Sequence, residues 1–271
     1  MLSILNSVSS LQAENALANT TTALNKNLQQ LSTGLRINSG ADDAAGLSIA
    51  NGLQANIAAL NQSSNNASEG VGMLQTADGA LSQVTTLLNR AITLATEASN
   101  GGLSATQATA LQTEYTAIQT EINNIGTSTD FNGTAVFGSA GSVFESDGTT
   151  TSTISDAVAA LSSTDLGLTT KGTPLTTTAG AQAELALIDA AVSTVAGARG
   201  TIGATVNQLT ASQSVEGAAV TNLTSAEDSI QNADVGQVVA QMTQNSILEQ
   251  TGMAALSQSN QIQQNVLKLI Q

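Results

Sequence analysis

The sequence predicts a mainly α protein: a long antiparallel helical bundle or coiled coil with a small β-hairpin element. Three observations carry this. Proline interrupts the 271 residues once, at Pro174. Apolar residues recur at three- and four-residue spacing before about residue 130 and after about residue 180, the period of a buried helical seam. Tyr115, Phe131, Phe137 and Phe144 are the only aromatics, and Trp is absent. With Ala, Leu, Ile and Val as the apolar filler, thin helical seams are favoured over a thick core.

The first seam is Leu17, Leu24, Leu28, Leu31 and Leu35, separated by seven, four, three and four residues. Asn38-Ser39-Gly40 reads as a turn, and Ser39 with Asp42 reads as a capping box in which Asp replaces the usual Glu. A longer seam follows: Leu53, Ile57, Leu60, Ala67, Val71, Leu74, Leu81, Val84, Leu88, Ala91, Ala95 and Ala98. Asn100-Gly101-Gly102 ends that helix, and Ser104 with Gln107 caps the next, whose seam is Leu111, Tyr115, Ile118, Ile122 and Ile125. Between 130 and 178 the pattern changes. Asn132-Gly133 and Asp147-Gly148 are hairpin-turn dipeptides flanked by short β-rich runs. A short helix is expected over Asp156–Leu161, then a Thr-rich loop from Thr169 to Thr178. The last third resumes a seam through Leu185, Ile188, Val192, Val195, Ile202, Val206, Leu209, Val220, Leu223 and Ile230. Arg199, Gln213, Glu216 and Glu227 fall in its polar gaps.

Composition excludes several functions. With no Cys and no His, disulfides, thiol chemistry, thiolate zinc sites and imidazole acid–base catalysis are absent. Twenty acids against six bases give a net charge of −14. There is no basic patch for nucleic acid or anionic membranes. No membrane span is expected. The first positive side chain is Lys26, so a cleavable signal peptide is not expected, and any export would use another route. No cofactor is expected.

The two ends share a composition that the middle lacks. Residues 1–35 carry only Glu14 and Lys26 as charges; beyond Ser229 only Asp234, Glu249 and Lys268 remain. The C-terminal tail is rich in Gln and Asn, with Val235, Val239, Met242, Ile247, Leu248, Leu256, Val266, Leu267 and Ile270 among its apolar residues. A lone apolar helix with an uncharged polar face has too little partner surface to bury its seam. Two readings follow. The ends complete one intramolecular bundle, or they pair with each other and then with copies from other subunits, remaining poorly ordered in the monomer.

The stretch Leu31-Ser-Thr-Gly-Leu-Arg-Ile-Asn-Ser-Gly-Ala-Asp-Asp-Ala-Ala-Gly-Leu-Ser-Ile-Ala50 closely resembles the N-terminal signature of bacterial flagellins. The resemblance continues through Asn66-Ala-Ser-Glu-Gly-Val-Gly-Met-Leu-Gln-Thr-Ala-Asp-Gly-Ala-Leu81 and Asp130-Phe-Asn-Gly133. Arg199-x-x-Ile-Gly-Ala204, Ala233-Asp234, Ile247-Leu-x-Gln-x-Gly252 and Asn265-Val-Leu-x-Leu-Ile270 extend it at the other end. It covers roughly residues 1–134 and 180–271. It implies a flagellin-like fold and a structural subunit of the flagellar filament, a self-assembling helical tube that drives motility. Residues 1–45 with 230–271 would form the terminal coiled coil lining the filament core. Residues 46–229 would form a helical bundle with a β-rich insert at about 130–178. The resemblance also implies the partners. These are other copies of the chain, sister flagellins, hook–filament junction and cap proteins, an export chaperone and the flagellar export apparatus. The location would be extracellular. Only some 45 residues occupy the middle, too few for an independent outer domain.

Candidate sites follow. The apolar residues of the two ends, Leu17, Leu24, Leu28, Leu31, Leu35, Val235, Val239, Met242, Ile247, Leu248, Leu256, Val266, Leu267 and Ile270, are expected to pack the inter-subunit core. By resemblance, Arg36, Asp42 and Asp43 lie at a domain joint, where Arg36 is expected to pair with Asp42 or Asp43. The two neighbouring acids diverge by about 100° on a helix and do not form a catalytic dyad. Resemblance further implies a patch read by an animal innate-immune receptor: Arg90, Leu94 and Glu114 match it, whereas Asn89, Thr93 and Thr96 depart from it. Gly197-Ala-Arg-Gly200-Thr-Ile-Gly203 lacks the Lys-Ser/Thr end of a phosphate loop and reads as small residues permitting close helix approach. Glu145-Ser-Asp147-Gly148 lacks full calcium-loop spacing and reads as a turn. Thr149, Thr150, Thr151, Ser152 and Thr176–Thr178 are candidate O-glycan acceptors. A hook-associated protein would carry a larger middle, and a chemoreceptor-like coiled coil denser charge and a membrane span. An inserted zinc peptidase would need His.

Overall fold

A computed structural model describes residues 8–138, 141–146, 151–168 and 174–270, the side chains at 9, 146, 151, 263 and 266–270 excepted. The elements in chain order are α1 (Val8–Thr33), α2 (Ala44–Ala98), α3 (Ala105–Ser128), β1 (Asp130–Phe131), β2 (Thr134–Ala135), β3 (Ser142–Ser146), β4 (Thr151–Ser155), a 3-10 turn at Pro174–Thr176, α4 (Thr178–Gln231) and α5 (Val235–Ile270). The mainly α expectation holds, with two small antiparallel strand pairs as its only sheet structure among the described residues. The chain divides into two compact units, Met1–Ala55 with Asn222–Gln271, and Asn56–Thr221.

The central unit holds almost all of the core. Leu60, Leu74, Leu88, Leu94, Ile188 and Leu209 are fully buried along α2 and α4, at the spacing of the predicted seams. Tyr115 on α3 is buried among them, and its hydroxyl donates to the buried carboxylate of Glu184 on α4. Burial, and next Glu184, hold the phenol far above its ordinary pKa. The predicted capping box is present: Ser104 Oγ accepts from the Gln107 amide and Gln107 Oε1 from the Ser104 amide. Asn132 and Gly133 both take positive φ, 51° and 75°, as a two-residue hairpin of the mirror-image type requires. They join β1 to β2 with Asp130 opposite Ala135. β3 pairs with β4, Ser142 opposite Ser155; the Asp147-Gly148 turn predicted between them lies outside the described residues, as do Thr149 and Thr150.

Two expectations fail, and α4 is more apolar than the sequence reading suggested. Residues 156–161 are not helical: Val158 bridges Phe137 in parallel instead. This segment lies close against α3, where the Cβ that Gly126 lacks would meet the Leu161 carbonyl oxygen at 1.8 Å. Asn123 Oδ1 accepts the Ser163 amide nearby. Backbone pairing to a neighbour therefore replaces a local helix. Gly197, Gly200 and Gly203 do not admit a close helix, since a Cβ at any of them would meet nothing within 4 Å. Close approaches occur elsewhere, as at Gly126 and at Gly70, where a Cβ would meet Val143 Cγ2. Arg199, between those open glycines, forks onto Asp78 of α2 at 2.7 and 3.1 Å. Finally, α4 contains an 18-residue window of mean hydropathy 1.3, long and apolar enough by composition to cross a membrane. The same helix buries Ile188, Val195, Ile202 and Leu209 in a protein core and carries the Arg199–Asp78 ion pair.

Candidate assembly surface

In the terminal unit, α1 runs antiparallel to α5. Ser10 Oγ lies 2.8 Å from Ser259 Oγ. Seven residues on, Leu17 packs over Gly252, where an added Cβ would sit 3.4 Å from Leu17 Cδ1. The register runs on to the far end of α1, where the Ala233 amide donates to the Gly34 carbonyl and Leu35 bridges Asn232. Of the predicted seam, Leu17, Leu24, Leu31 and Leu35 are half-buried, as are Met242 and Leu256 on α5.

The other seam residues are exposed: Leu28, Val235, Val239, Ile247 and Leu248. Ile247 is 58% exposed and Val8 66%. Among the described residues, all but Phe144 and Val215 of the exposed large hydrophobics lie in this unit. They do not make one stripe. At about 100° per residue, Ile247 and Leu248 point to different sides of α5, yet both are bare. A helix apolar on several sides belongs in an interior. The side chains of Val266, Leu267 and Ile270 lie outside the described residues. The buried hydrophobics of this unit among the described residues are Ile37, Ala50 and Val238.

The predicted joint is built as follows. Gly34, at φ 74°, ends α1 in the left-handed conformation that favours glycine. The chain then pairs with the end of α4, the Arg36 amide donating to the Gln231 carbonyl. Arg36 does not pair with Asp42 or Asp43. Its guanidinium donates to the Ile230 carbonyl at 2.6 Å, where a cation meets the negative end of α4. Lys26 takes Asp42 instead, at 2.8 Å. The Asp42 carboxylate also accepts the Asn38 and Ser39 amides and the Ser39 hydroxyl. Its pKa is lowered to about 2, by the Lys26 contact first and Ser39 next. The Ser39–Asp42 pair closes a turn before the helix, and Asp43 is the cap of α2: its Oδ1 accepts the Gly46 amide at 2.9 Å.

Sequence reasoning missed four contributors. Asp234 caps α5 through the Gln237 amide at 3.1 Å; its position just before Val235-Gly-Gln was the available signal. Lys26 gave none, because its partner lies 16 residues away on another element. Glu145 and Glu216 are both buried in the central unit, although Glu216 sits in what reads as a polar gap.

Of the residues expected to form an innate-immune patch, Arg90 Nε and Nη2 fork onto Glu114 at 2.7 and 3.0 Å, joining α2 to α3 at the surface. The hydrogen bond from Arg90 holds the Glu114 carboxyl below its ordinary range. Leu94, expected in that patch, is fully buried and presents no surface. No group of three or more metal-binding acids occurs among the described residues.

Residues 4–141 match the bacterial flagellin N-terminal helical region, and residues 185–270 match the bacterial flagellin C-terminal helical region. A flagellin of Bacillus subtilis is 32% identical over 97% of this chain and 98% of its own length. A B-type flagellin of Pseudomonas aeruginosa is 44% identical over 37% of this chain, and the alignment spans 20% of that protein. The alignment with a flagellin of Salmonella muenchen, at 46% identity, spans 18% of it. The crystal structure of Bacillus cereus flagellin aligns with a TM-score of 0.47 at 28% identity, over 56% of this chain and 88% of that one. With both ends matched and the Bacillus subtilis protein aligned throughout, the chain belongs to the bacterial flagellin family, whose members are structural filament subunits and not enzymes.

Proposed function

We propose that the chain polymerises with copies of itself into the flagellar filament, outside the cell, and that the α1–α5 pair is the element that other subunits cover. The observation that carries this is the bare apolar surface of that pair. Each Leu- or Ile-sized side chain left exposed forgoes about 1.5–3 kcal/mol of burial. The pair also carries few charges to keep it soluble. Copies packed side by side would cover these faces, and Asn, Gln, Ser and Thr between them would bond across. Alone, the pair is marginal; assembly supplies the missing surface, so ordering of the ends accompanies polymerisation. In this reading residues 1–45 and 230–271 line the filament core. Arg36, Asp42 and Asp43 brace the turn between α1 and α2 within the terminal unit.

Subunits of this kind would leave the cell through the flagellar export apparatus, helped by an export chaperone, and meet junction and cap proteins at the filament's ends. Sister flagellins sharing these faces would co-assemble. Removing residues 1–20 or 252–271 tests the reading, with seeded polymerisation followed by electron microscopy. Growth should stop in both truncated chains, while the circular dichroism of the central helices persists. Normal filaments from either truncated chain would refute it.

A further inference from the structure

Between the β3–β4 hairpin and the helices α2 and α4 of the central unit lies a cavity of about 120 Å³. Glu145 of β3 and Glu216 of α4 both line it, with Ser152 of β4 and Ser212 of α4, against the apolar side chains of Leu60 and Val215. Each carboxylate is only 5% exposed. Each uses one oxygen: Glu216 Oε1 accepts from Ser63 Oγ, and Glu145 Oε2 accepts from Ser212 Oγ at 2.8 Å. The other two, Glu145 Oε1 and Glu216 Oε2, are buried without any hydrogen-bond partner. Neither acid takes part in an ion pair among the described residues. Two carboxylate oxygens buried without a hydrogen bond or an ion pair, on residues that line one small cavity, are costly to leave uncompensated.

We propose that this cavity binds one Ca²⁺ ion, held by Glu145 Oε1 and Glu216 Oε2 with the Ser152 hydroxyl and waters completing the shell. Ca²⁺ takes six to eight oxygens in flexible geometry, which suits ligands from a strand and a helix; Mg²⁺ demands a tighter octahedron. The space admits the ion and several waters. Ser152 is exposed and marks the side from which the ion enters. Bound there, Ca²⁺ replaces the repulsion between the two acids with a shared partner and fastens the β3–β4 hairpin onto α4. Two carboxylates with neutral donors make a weak site, with a Kd of roughly 10⁻⁴–10⁻³ M. Burial, and to a lesser degree Glu145, push the Glu216 carboxyl above its ordinary range. A shared proton is therefore the rival way to quiet the pair, and binding of the metal would displace that proton.

The test is isothermal titration of the chelator-stripped full chain with Ca²⁺, combined with amide hydrogen exchange over residues 142–155. The expected result is one saturable site and slowed exchange in that hairpin. Glu145→Gln and Glu216→Gln, which keep the shape and the bonds from Ser212 and Ser63, should each weaken binding tenfold or more. Ser152→Ala, which leaves both acids in place, should weaken it less, about threefold, and serves if a Gln variant fails to fold. The proposal is overturned by the absence of saturable binding, or by binding that none of the three substitutions alters. It is equally overturned if the hairpin tightens as pH falls but ignores Ca²⁺, since a shared proton would then occupy the cavity.

Discussion

The two units of this chain use the same helical period for opposite ends. In the central unit the seam residues Leu74, Val84, Leu88 and Leu209 are at most 1% exposed and sit in one hydrophobic cluster. In the terminal unit Leu17, Leu24 and Leu31 of α1 stop at half-burial, Leu28 is exposed, and α5 leaves Val235, Val239, Ile247 and Leu248 bare. Period alone therefore says that a helix has an apolar face, and not what covers it. The difference lies in how many elements are at hand. Beyond the short ends of α2 and α4, the terminal unit is one helix pair, α1 with α5, and a pair of helices buries only the facing sides of each. The central unit adds α3 and the strands, which close the remaining sides.

The largest effect should separate the units directly. Leu88→Ala removes a fully buried side chain and should cost the monomer about 2–5 kcal/mol in urea unfolding. Leu28→Ala, at an exposed position on α1, should change monomer stability by no more than about 0.5 kcal/mol yet slow seeded filament growth. If Leu28→Ala unfolds the monomer as readily as Leu88→Ala, the terminal pair is a core in its own right and the comparison collapses.

A smaller effect distinguishes rigid from yielding neighbours. At Gly126 a new Cβ would strike the Leu161 carbonyl oxygen, which is backbone. Gly126→Ala should therefore cost about 1–3 kcal/mol, read as a lowered melting temperature of the central unit. At Gly46 in the terminal unit, a Cβ would meet Ile37 Cδ1 at 2.8 Å and Asp43 Oδ2 at 2.5 Å, both of them side-chain ends. Those atoms can turn aside, and Ala is the better helix former by about 1 kcal/mol. Gly46→Ala should therefore destabilise less than Gly126→Ala. The reverse order would mean that the joint is the stiffer part.

How much of this was legible in the sequence follows from the range of the signals. The seams, the Ser104–Gln107 box and the Asn132-Gly133 turn depend on residues within a few positions of one another, and all three appear as read. The misreadings concern partners far apart in sequence. Residues 156–161 carry enough Ala and Leu for a helix, but Val158 bridges Phe137 and the segment lies against Gly126. Arg36 stands near Asp42 in sequence, yet bonds to the Ile230 carbonyl, 194 residues away. Glu216 looks like a solvated residue in a polar gap until Ser63 and the β3–β4 hairpin are seen beside it. Gly197, Gly200 and Gly203 show the converse: small residues permit a close approach without causing one.

The last and smallest effect concerns pH, and it is read at the joint. Asp42 has its pKa lowered from 3.8 to about 2 by Lys26 and Ser39. A carboxyl lowered on folding contributes stability that is complete above its unfolded pKa and is lost as pH falls through the folded value. The turn at residues 38–42 should therefore remain intact at pH 5 and loosen between about pH 4 and 2. Because Lys26 and Asp42 are in contact with water, salt should weaken the effect. Amide exchange at Asn38 and Ser39, whose N–H groups donate to this carboxylate, is the direct readout. Asp42→Asn should make those two amides exchange faster at pH 5 and remove the acid-dependent step. The Gly46 amide, held by Asp43, should be little changed by the substitution. If all three amides loosen together, Asp42 and Asp43 act as one cooperative latch, and the joint is less divisible than its separate hydrogen bonds suggest.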